Sequence, residues 1–290
     1  MDATKPNRRN FLKAAAGTAT AAYWLQSGAA SAQSSSPGVK KPLIIDAHAH
    51  LDSRGKYGDP AGIVELADEA GIDIVCLSPV TAFYDMKIGN QQAVDAARRF
   101  PKRIIAYANF PTADLGPEVL EEIEARVTRD GVKGLGEVIN RATNAGVYPP
   151  TTTPNWVAVF KKAAALRIPI LTHQRPADAE AIATMVPEAT ILMAHMGNGD
   201  SEGNWRRAIV AAQRCPNLYL ETCSSTVDYG YIEAAVEALG PERLVFGTDM
   251  PLLDPHVQVA KITGAKISAE AKQLILGGNM ARLLGLPRGA

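Results

Sequence analysis

The 290-residue sequence predicts an α/β fold, a (β/α)8 TIM barrel, from three observations. Eight short apolar runs alternate with amphipathic segments, the runs are near-continuous rather than alternating in their apolar residues, and the chain length suits one barrel. An unbroken apolar strand is typical of a parallel sheet covered on both faces. An open doubly wound sheet is the alternative, but it usually has fewer strands, and no glycine-rich phosphate loop follows the first run.

The elements follow one another as strand, loop and helix over residues 43–290, which we take as one catalytic domain. The predicted strands are Leu43–Ala47, Ile72–Leu77, Arg103–Ala108, Val132–Val138, Ile168–Thr172, Thr190–Ala194, Leu218–Thr222 and Leu244–Gly247. The predicted helices include Pro60–Ala70, Gln91–Phe100, Pro117–Arg129, Trp156–Leu166, Glu202–Gln213 and Asp228–Leu239. Each helix has apolar residues at helical spacing, as expected for a helix that packs on a barrel.

Imidazole and carboxylate side chains stand at the carboxyl ends of five predicted strands, where a barrel carries its active site. They are His48, His50, Glu137, His173, His195 and Asp249. Four of the chain's five histidines belong to this set. A single histidine on a strand is more often an ordinary core residue, but this number is hard to explain that way. Buried polar and charged groups need partners, and one cation would supply a partner for all of them.

The spacing of His48 and His50 also favours a metal site, because residues two apart on a strand point to the same side. Neutral imidazole and carboxylate are suitable ligands for several divalent cations. The sequence therefore predicts one or two divalent ions, with zinc as the first choice and manganese, iron or nickel as alternatives.

The segment Ile45–Leu51, with the sequence IDAHAHL, resembles the opening motif of the amidohydrolase superfamily. His173, His195 and the strand end Gly247-Thr248-Asp249 match later motifs of that superfamily in order. The tail Gly278–Leu286 is similar to the closing helix of the amidohydrolase-related branch. The resemblance covers about residues 43–287. It implies a metal-dependent hydrolase on a TIM barrel, acting on a small-molecule substrate.

Two arrangements of the metal ligands occur among the proteins that this chain resembles. In the binuclear arrangement, one ion is held by His48, His50 and Asp249, the second by His173 and His195, and Glu137 bridges them. A shared hydroxide then attacks an ester, lactone or amide, and Asp249 takes up its proton. In the mononuclear arrangement, one ion is held by His48, His50, His173 and Asp249. His195 is then an acid or base, and this pattern includes decarboxylases of unsaturated or aromatic carboxylic acids.

Glu137 separates these arrangements, and it has a structural alternative. It could form a salt bridge with Lys133 or Arg141 at the barrel rim. Similar Gly-Glu strand ends occur in the TatD-type and phosphotriesterase-like relatives. However, Val138–Arg141 replaces the continuation typical of the TatD-type phosphoesterases, which argues against cleavage of nucleic acid.

Substrate contacts are expected from the loops that follow the strands. Arg175 could anchor a substrate carboxylate through two hydrogen bonds, and Tyr148 lies in a long loop that could cover the barrel mouth. An exposed arginine and ordinary packing of the tyrosine are the alternatives. Cys223 is expected to line the pocket rather than act as a nucleophile, because no spare histidine is placed to activate it.

The composition argues against several other classes of protein. The chain has 30 basic and 30 acidic residues. Removal of residues 1–32, which hold four of the basic and one of the acidic residues, leaves a net charge of −3. Neither nucleic acid nor an anionic membrane is favoured as a partner. The three cysteines lack metal-ligand spacing and do not indicate a disulfide framework. The oligomeric state is left open.

The first 32 residues resemble a twin-arginine signal peptide, and residues 33–42 form a linker. The basic motif contains Arg8 and Arg9, an apolar stretch follows, and Ala30-Ser31-Ala32 fits a cleavage site. The apolar stretch is too short and polar for a stable membrane span, which needs about 20 residues. The pattern predicts export of the folded protein by the twin-arginine machinery, to the periplasm or beyond. A chance arginine pair in an N-terminal helix is the alternative.

We predict that replacing both Arg8 and Arg9 by lysine leaves the precursor in the cytoplasm, because the pair is the recognised element of the signal. Cell fractionation and the N-terminal sequence of the exported protein measure this, with a mature start near Gln33 expected for the unaltered chain. Normal export of the double variant would contradict the assignment.

Overall fold

The computed structural model describes residues 42–51, 58–113, 115–140, 150–197, 205–224 and 228–286. The predicted signal peptide, nearly all of the linker and Tyr148 lie outside these ranges and stay predictions. The predicted (β/α)8 barrel is confirmed, since eight parallel strands form one sheet in sequence order from β1 to β8.

The strands of this sheet are short, with two to seven residues each. They are β1 Ile45–Leu51, β2 Ile74–Pro79, β3 Ile104–Ala108, β4 Gly134–Ile139, β5 Ile170–His173, β6 Ile191–Met193, β7 Leu218–Glu221 and β8 Leu244–Val245. The chain after β8 then pairs with β1, since the amide of Ala47 bonds the carbonyl of Phe246 and the amide of His50 bonds that of Met250. These contacts join the last strand to the first and complete the barrel.

The helices lie between the strands. They are α1 Pro60–Glu69, α2 Met86–Arg99, α3 Pro117–Asp130, α4 Pro154–Leu166, α5 Pro176–Met185, α6 Trp205–Arg214, α7 Tyr231–Leu239, α8 Pro255–Gly264, α9 Ala269–Gln273 and α10 Asn279–Leu283. Short 3-10 segments cover Val80–Phe83, Ala194–Gly197 and Pro241–Arg243, and a π-helical turn covers Leu274–Gly278. Several helices begin with a proline in the first turn, where its missing N–H costs no helical hydrogen bond.

The structure extends the predicted set of helices. Helices α5, α8 and α9 are additional to the six expected ones, and α10 lies in the tail whose resemblance predicted a closing helix. Helix α2 begins five residues before its predicted start at Gln91. Helix α5 is rich in alanine and has a weak apolar face, so periodicity gives little signal for it. No helix within the described ranges combines the length and the apolarity that a membrane crossing requires.

The core has two parts, as a barrel requires. The larger part packs the outer faces of the strands against the helices, with fully buried side chains such as Phe110, Trp156 and Phe160. The smaller part fills the barrel interior and includes Ile45, Tyr107, Leu171, Leu192 and Val245. Met280 and Leu284, from and just after α10, belong to the interior cluster. The C-terminal helix therefore contributes to the core of the barrel itself.

Candidate metal centre

The first strand is irregular at the point where it presents its histidines. The register between β1 and β2 shifts between Asp46 and Ala49, as in a β-bulge, which re-aims side chains. The Asp46 carboxylate accepts hydrogen bonds from the amides of His48 and Thr248 (2.9 Å each) and from the Thr248 hydroxyl (2.5 Å). Burial raises the pKa of Asp46 to about 7 although these bonds oppose the shift. The Nε2 atoms of His48 and His50 lie 3.2 Å apart, both buried.

Asp249 completes a first group of ligands. Its amide donates to the carbonyl of His48 (2.7 Å), so the chain after β8 is fixed beside β1. Its φ of 60° lies in the left-handed region, a conformation that non-glycine residues adopt rarely and that is found more often at functional sites. Its Oδ1 lies 2.8 Å from His50 Nε2 and 3.5 Å from His48 Nε2. His48, His50 and Asp249 can therefore bind one ion together.

The fourth strand is irregular in the same way. Leu135 and Val138 both pack in the outer core, and the register with β5 shifts between them. Gly136 has a φ of +127°, and a Cβ there would collide with the carbonyl of Leu171, so only glycine fits. Because the strand is displaced here, Glu137 turns into the barrel mouth. The alternative pairing with Lys133 is not seen, since Lys133 is exposed and Glu137 is buried among imidazoles.

Side chains from two neighbouring strands hold the backbone of Glu137. The hydroxyl of Ser78 accepts its N–H at 2.5 Å, and the Asn109 amide donates to its carbonyl at 2.8 Å. The Asn109 amide also lies 3.4 Å from the Ser78 hydroxyl, and the Asn109 N–H donates to Asn90 of α2. All these polar groups are buried, so their mutual hydrogen bonds fix the carboxylate in one place. Sequence reasoning did not identify Ser78 or Asn109.

Glu137 gathers a second group of ligands. Its Oε1 lies 2.8 Å from His173 Nδ1 and 3.2 Å from His195 Nε2. Its Oε2 lies 3.5 Å from the Nε2 atoms of both His48 and His50. One carboxylate therefore faces the first group with one oxygen and the second group with the other. The structure brings the six predicted ligands together in two adjacent groups. Glu137, a member of the second group, also lies 3.5 Å from two histidines of the first.

The cluster fits a pair of divalent cations. Glu137 Oε1 and Asp249 Oδ1 are buried. Each faces an imidazole nitrogen at 2.8 Å, of His173 and of His50 respectively, so an oxygen and a nitrogen are placed to bind the same ion. Burial raises the pKa of Glu137, but His48, His173 and His195 outweigh it and hold the pKa well below its usual range. Burial likewise raises the pKa of Asp249, but His50 and His48 outweigh it and hold this pKa below its usual range. Ionised carboxylates with neutral imidazoles suit Zn, Mn, Fe or Ni.

Glu221, at the end of β7, is a buried carboxylate that sequence reasoning missed. Its Oε2 lies 3.0 Å from His48 Nδ1, the nitrogen opposite the one that faces Asp249. It also accepts the amide of His195 (3.1 Å), and its Oε1 accepts the amide of Cys223 (2.6 Å). A carboxylate on the far nitrogen of a metal-binding histidine fixes which nitrogen is free for the ion. An acid inside an otherwise apolar strand, Leu218–Glu221, was the available signal.

Cys223 is also buried beside the histidines. Its Sγ lies 3.2 Å from His195 Nδ1 and 3.4 Å from His48 Nδ1, so two histidines are close to the thiol. Both histidines are predicted metal ligands, so neither is spare to activate the thiol, and the interpretation of Cys223 as a residue beside the site rather than a nucleophile stays a prediction. The thiol is fully buried and contacts the Nδ1 atoms, whereas the Nε2 atoms face Glu137 and Asp249. Its position is behind the ligands rather than in front of them.

Of the two predicted substrate contacts, Arg175 and Tyr148, the structure describes only Arg175. Arg175 is the N-cap residue of α5, and its Nε donates to Asp178 at 2.8 Å. It lines a surface cavity of about 470 Å³ between α5 and α6, together with Arg206, Arg207 and Arg214. That position is near the end of β5, but a contact with substrate stays a prediction. Tyr148 lies in residues 141–149, outside the described residues.

We predict that Gly247→Ala weakens zinc binding by about 10-fold or more, the usual effect of disturbing the residues that support metal ligands. A Cβ at Gly247 would collide with the Glu221 carboxylate and come within 2.9 Å of the His48 Cβ. Competition with a chelator measures the affinity. Gly264→Ala is the matched control, because a Cβ there meets nothing within 4 Å. Equal affinity in the two variants would show that the close approach of Glu221 to Gly247 is unimportant.

Known proteins share this architecture. A curated relative, L-fucono-1,5-lactonase from Burkholderia multivorans, is 31% identical over 97 residues, which are 31% of this chain and 29% of the lactonase. The chain therefore matches less than a third of that relative's length. The crystal structure of 5-carboxyvanillate decarboxylase from Sphingomonas paucimobilis has a TM-score of 0.67 at 18% identity, covering 85% of this chain and 100% of that one.

A second structure is similar at the same level. A candidate 2-pyrone-4,6-dicarboxylic acid hydrolase from Acinetobacter baumannii, with citric acid bound, has a TM-score of 0.61 at 17% identity and covers 84% of this chain and 99% of that one. At such identities the two structures show a shared fold. The family model described as Amidohydrolase matches residues 45–286, which includes every described strand, helix and predicted ligand. This chain belongs to the amidohydrolase family.

Proposed function

We propose that this enzyme is a metal-dependent hydrolase that cleaves a small ester, lactone or amide. The observation that carries the proposal is the position of Glu137 between two groups of ligands. Its Oε1 is within 3.2 Å of His195 Nε2 and its Oε2 is 3.5 Å from His48 Nε2. A carboxylate that reaches both groups is the ligand expected to bridge two ions. Two adjacent cations form a site typical of hydrolytic enzymes.

The ligands present determine what such a centre would do. Bound cations lower the pKa of a coordinated water towards about 7 and polarise a substrate carbonyl. His48, His50 and Asp249 would hold one ion, and His173 and His195 the other, with Glu137 between them. The side chain of His173 is 27% exposed, the largest value among these six predicted ligands, so His173 is the one most accessible to solvent at the mouth. Zinc is our first choice of metal, and manganese, iron and nickel suit the same donors.

Asp249 is the residue best placed to accept a proton. It is ionised, because the pKa of its carboxyl is held low by His50 and His48 against burial. Its Oδ1 is buried 2.8 Å from His50 Nε2, and its side chain as a whole is 13% exposed. A carboxylate beside the attacking water removes its proton as the new bond to the carbonyl carbon forms. His195, 3.2 Å from Glu137, would then serve as a ligand rather than as the base.

The similar proteins include both hydrolases and decarboxylases. A lactonase and a candidate pyrone hydrolase act on cyclic esters, which is the class of substrate that we propose. The 5-carboxyvanillate decarboxylase shares the fold and releases a carboxyl group instead. Fold alone does not separate these reactions. The grouping of His173 with Glu137 and His195, apart from His48, His50 and Asp249, favours the binuclear hydrolase.

We predict two tightly bound ions per chain in the unaltered protein, and one in Glu137→Gln, which keeps the size of the side chain but removes the bridging charge. Elemental analysis after reconstitution with zinc or manganese counts them. The same preparations are assayed with a six-membered lactone, with an aryl ester, and with a dihydroxybenzoate for release of carbon dioxide. One ion in the unaltered chain, together with release of carbon dioxide, would replace the hydrolase by the decarboxylase.

We predict that Asp249→Asn lowers the hydrolytic rate by roughly 10²–10⁴, the usual contribution of a positioned general base. Asparagine keeps the shape and one oxygen that can contact an ion, but it does not accept the proton. Metal content should fall much less than in His48→Ala, which removes a ligand outright. Steady-state kinetics and metal analysis on one preparation measure both. Near-normal turnover with full metal content would transfer the role of base to His195.

We further propose that this hydrolase works outside the cytoplasm, as the twin-arginine signal in residues 1–32 predicts. Its partners would then be the export machinery and a small-molecule substrate.

A further inference from the structure

One histidine of each ligand group, His48 and His195, is hydrogen-bonded to a pair of buried side chains, Glu221 and Cys223. Glu221 Oε2 lies 3.0 Å from His48 Nδ1 and accepts the Cys223 thiol at 3.1 Å. The Cys223 Sγ in turn lies 3.2 Å from His195 Nδ1. Glu221 and Cys223 are both fully buried, so solvent does not compete for these hydrogen bonds.

The hydrogens can be assigned along this path. An imidazole that binds a cation through Nε2 carries its proton on Nδ1. His48 then donates its Nδ1–H to Glu221. His195 donates its Nδ1–H to the sulfur of Cys223, and the Cys223 thiol donates to Glu221.

The backbone around His195 needs such support. His195 and Met196 have φ values of 55° and 49°, in the left-handed region that non-glycine residues adopt rarely. The His195 amide donates to Glu221 at 3.1 Å, which holds the turn from behind. Glu221 therefore contacts His195 both through the backbone and, by way of Cys223, through the ring.

We infer that Glu221 and Cys223 are positioning residues that set the orientation of one metal-binding histidine in each group. Cys223 orients His195, and Glu221 orients His48 directly and His195 through Cys223. The inference rests on the proposed two-cation function. It predicts different effects on metal binding for the two residues, since the loss of Cys223 affects one ligand group and the loss of Glu221 affects both.

The test measures metal affinity in the absence of substrate. We expect Cys223→Ala to lower the affinity for the ion held by Glu137, His173 and His195 by about 10-fold, the lower end of the effect of residues that support metal ligands. The affinity for the other ion should stay close to that of the unaltered chain. Cys223→Ser should recover most of the loss, because a hydroxyl donates to the carboxylate and accepts from the imidazole. Glu221→Gln should weaken both ions. Chelator competition with zinc, fitted to two sites, gives both constants for each variant.

Cys76→Ala is the matched control. Cys76 is also fully buried, but it belongs to the apolar cluster inside the barrel. The same atoms are lost in an equally buried place, so stability should fall by a comparable amount while both metal affinities stay unchanged. The midpoint of urea unfolding of the metal-free proteins shows that both variants fold.

Three outcomes would overturn the inference, and they are distinguishable. If the unaltered chain binds two ions and Cys223→Ala binds both with the same affinities, the thiol only fills space, and the proposed function stands. If Cys76→Ala loses the same affinity as Cys223→Ala, the effect comes from general packing. If the unaltered chain binds no cation, the proposed function fails together with the inference.

Discussion

The structure depends on one constraint: ionised carboxylates and imidazoles are buried together at the mouth of an apolar barrel. Glu137, Glu221 and Asp249 all have a pKa below the ordinary value, although burial acts in the opposite direction for each. Such charges are stable in a protein interior only with charged or strongly polar partners at close range. The bulge in β1, the shift in β4 and the left-handed turns at His195 and Asp249 all serve this end. Regular strands would not bring these groups within 3.5 Å of one another.

The architecture was predictable because its signal is repeated eight times. Each predicted strand is a near-continuous apolar run, and a parallel sheet between two layers needs such runs. Helices α5 and α8 were not predicted from apolar periodicity. For α5 the reason is that it is alanine-rich and has a weak apolar face. Pro176 and Pro255 open these two helices as Pro60, Pro117 and Pro154 open others, so proline at the first helical turn was the better guide. In this sequence, proline therefore marks where helices begin more clearly than apolar periodicity marks their buried faces.

The candidate site was predictable only in its ligands. Histidines at strand ends are conspicuous because such residues are otherwise rare in apolar strands. Ser78 and Asn109 gave no comparable signal, because their roles depend on neighbours on other strands. Glu221 stood out as an acid at the end of an apolar strand, but its partner did not, since Glu221 and His48 are 173 residues apart. Nor does the sequence reveal the bulges, since a pairing register is a property of two strands and not of one. The supporting layer of the site therefore had to be read from the structure.

The contacts that complete the barrel join residues from the two ends of the described chain. Thr248 donates two hydrogen bonds to Asp46, 202 positions earlier, and Met280 and Leu284 fill the interior beside Ile45. Pairings of such long range form only after the intervening residues have been made, and they form slowly. The predicted metal ligands His48 and Asp249 are 201 positions apart, so the centre would assemble only after that span has been made. Metal acquisition would then be a late event in the life of the chain. For a protein exported in the folded state, the ion would be chosen from the pool of the compartment where synthesis ends.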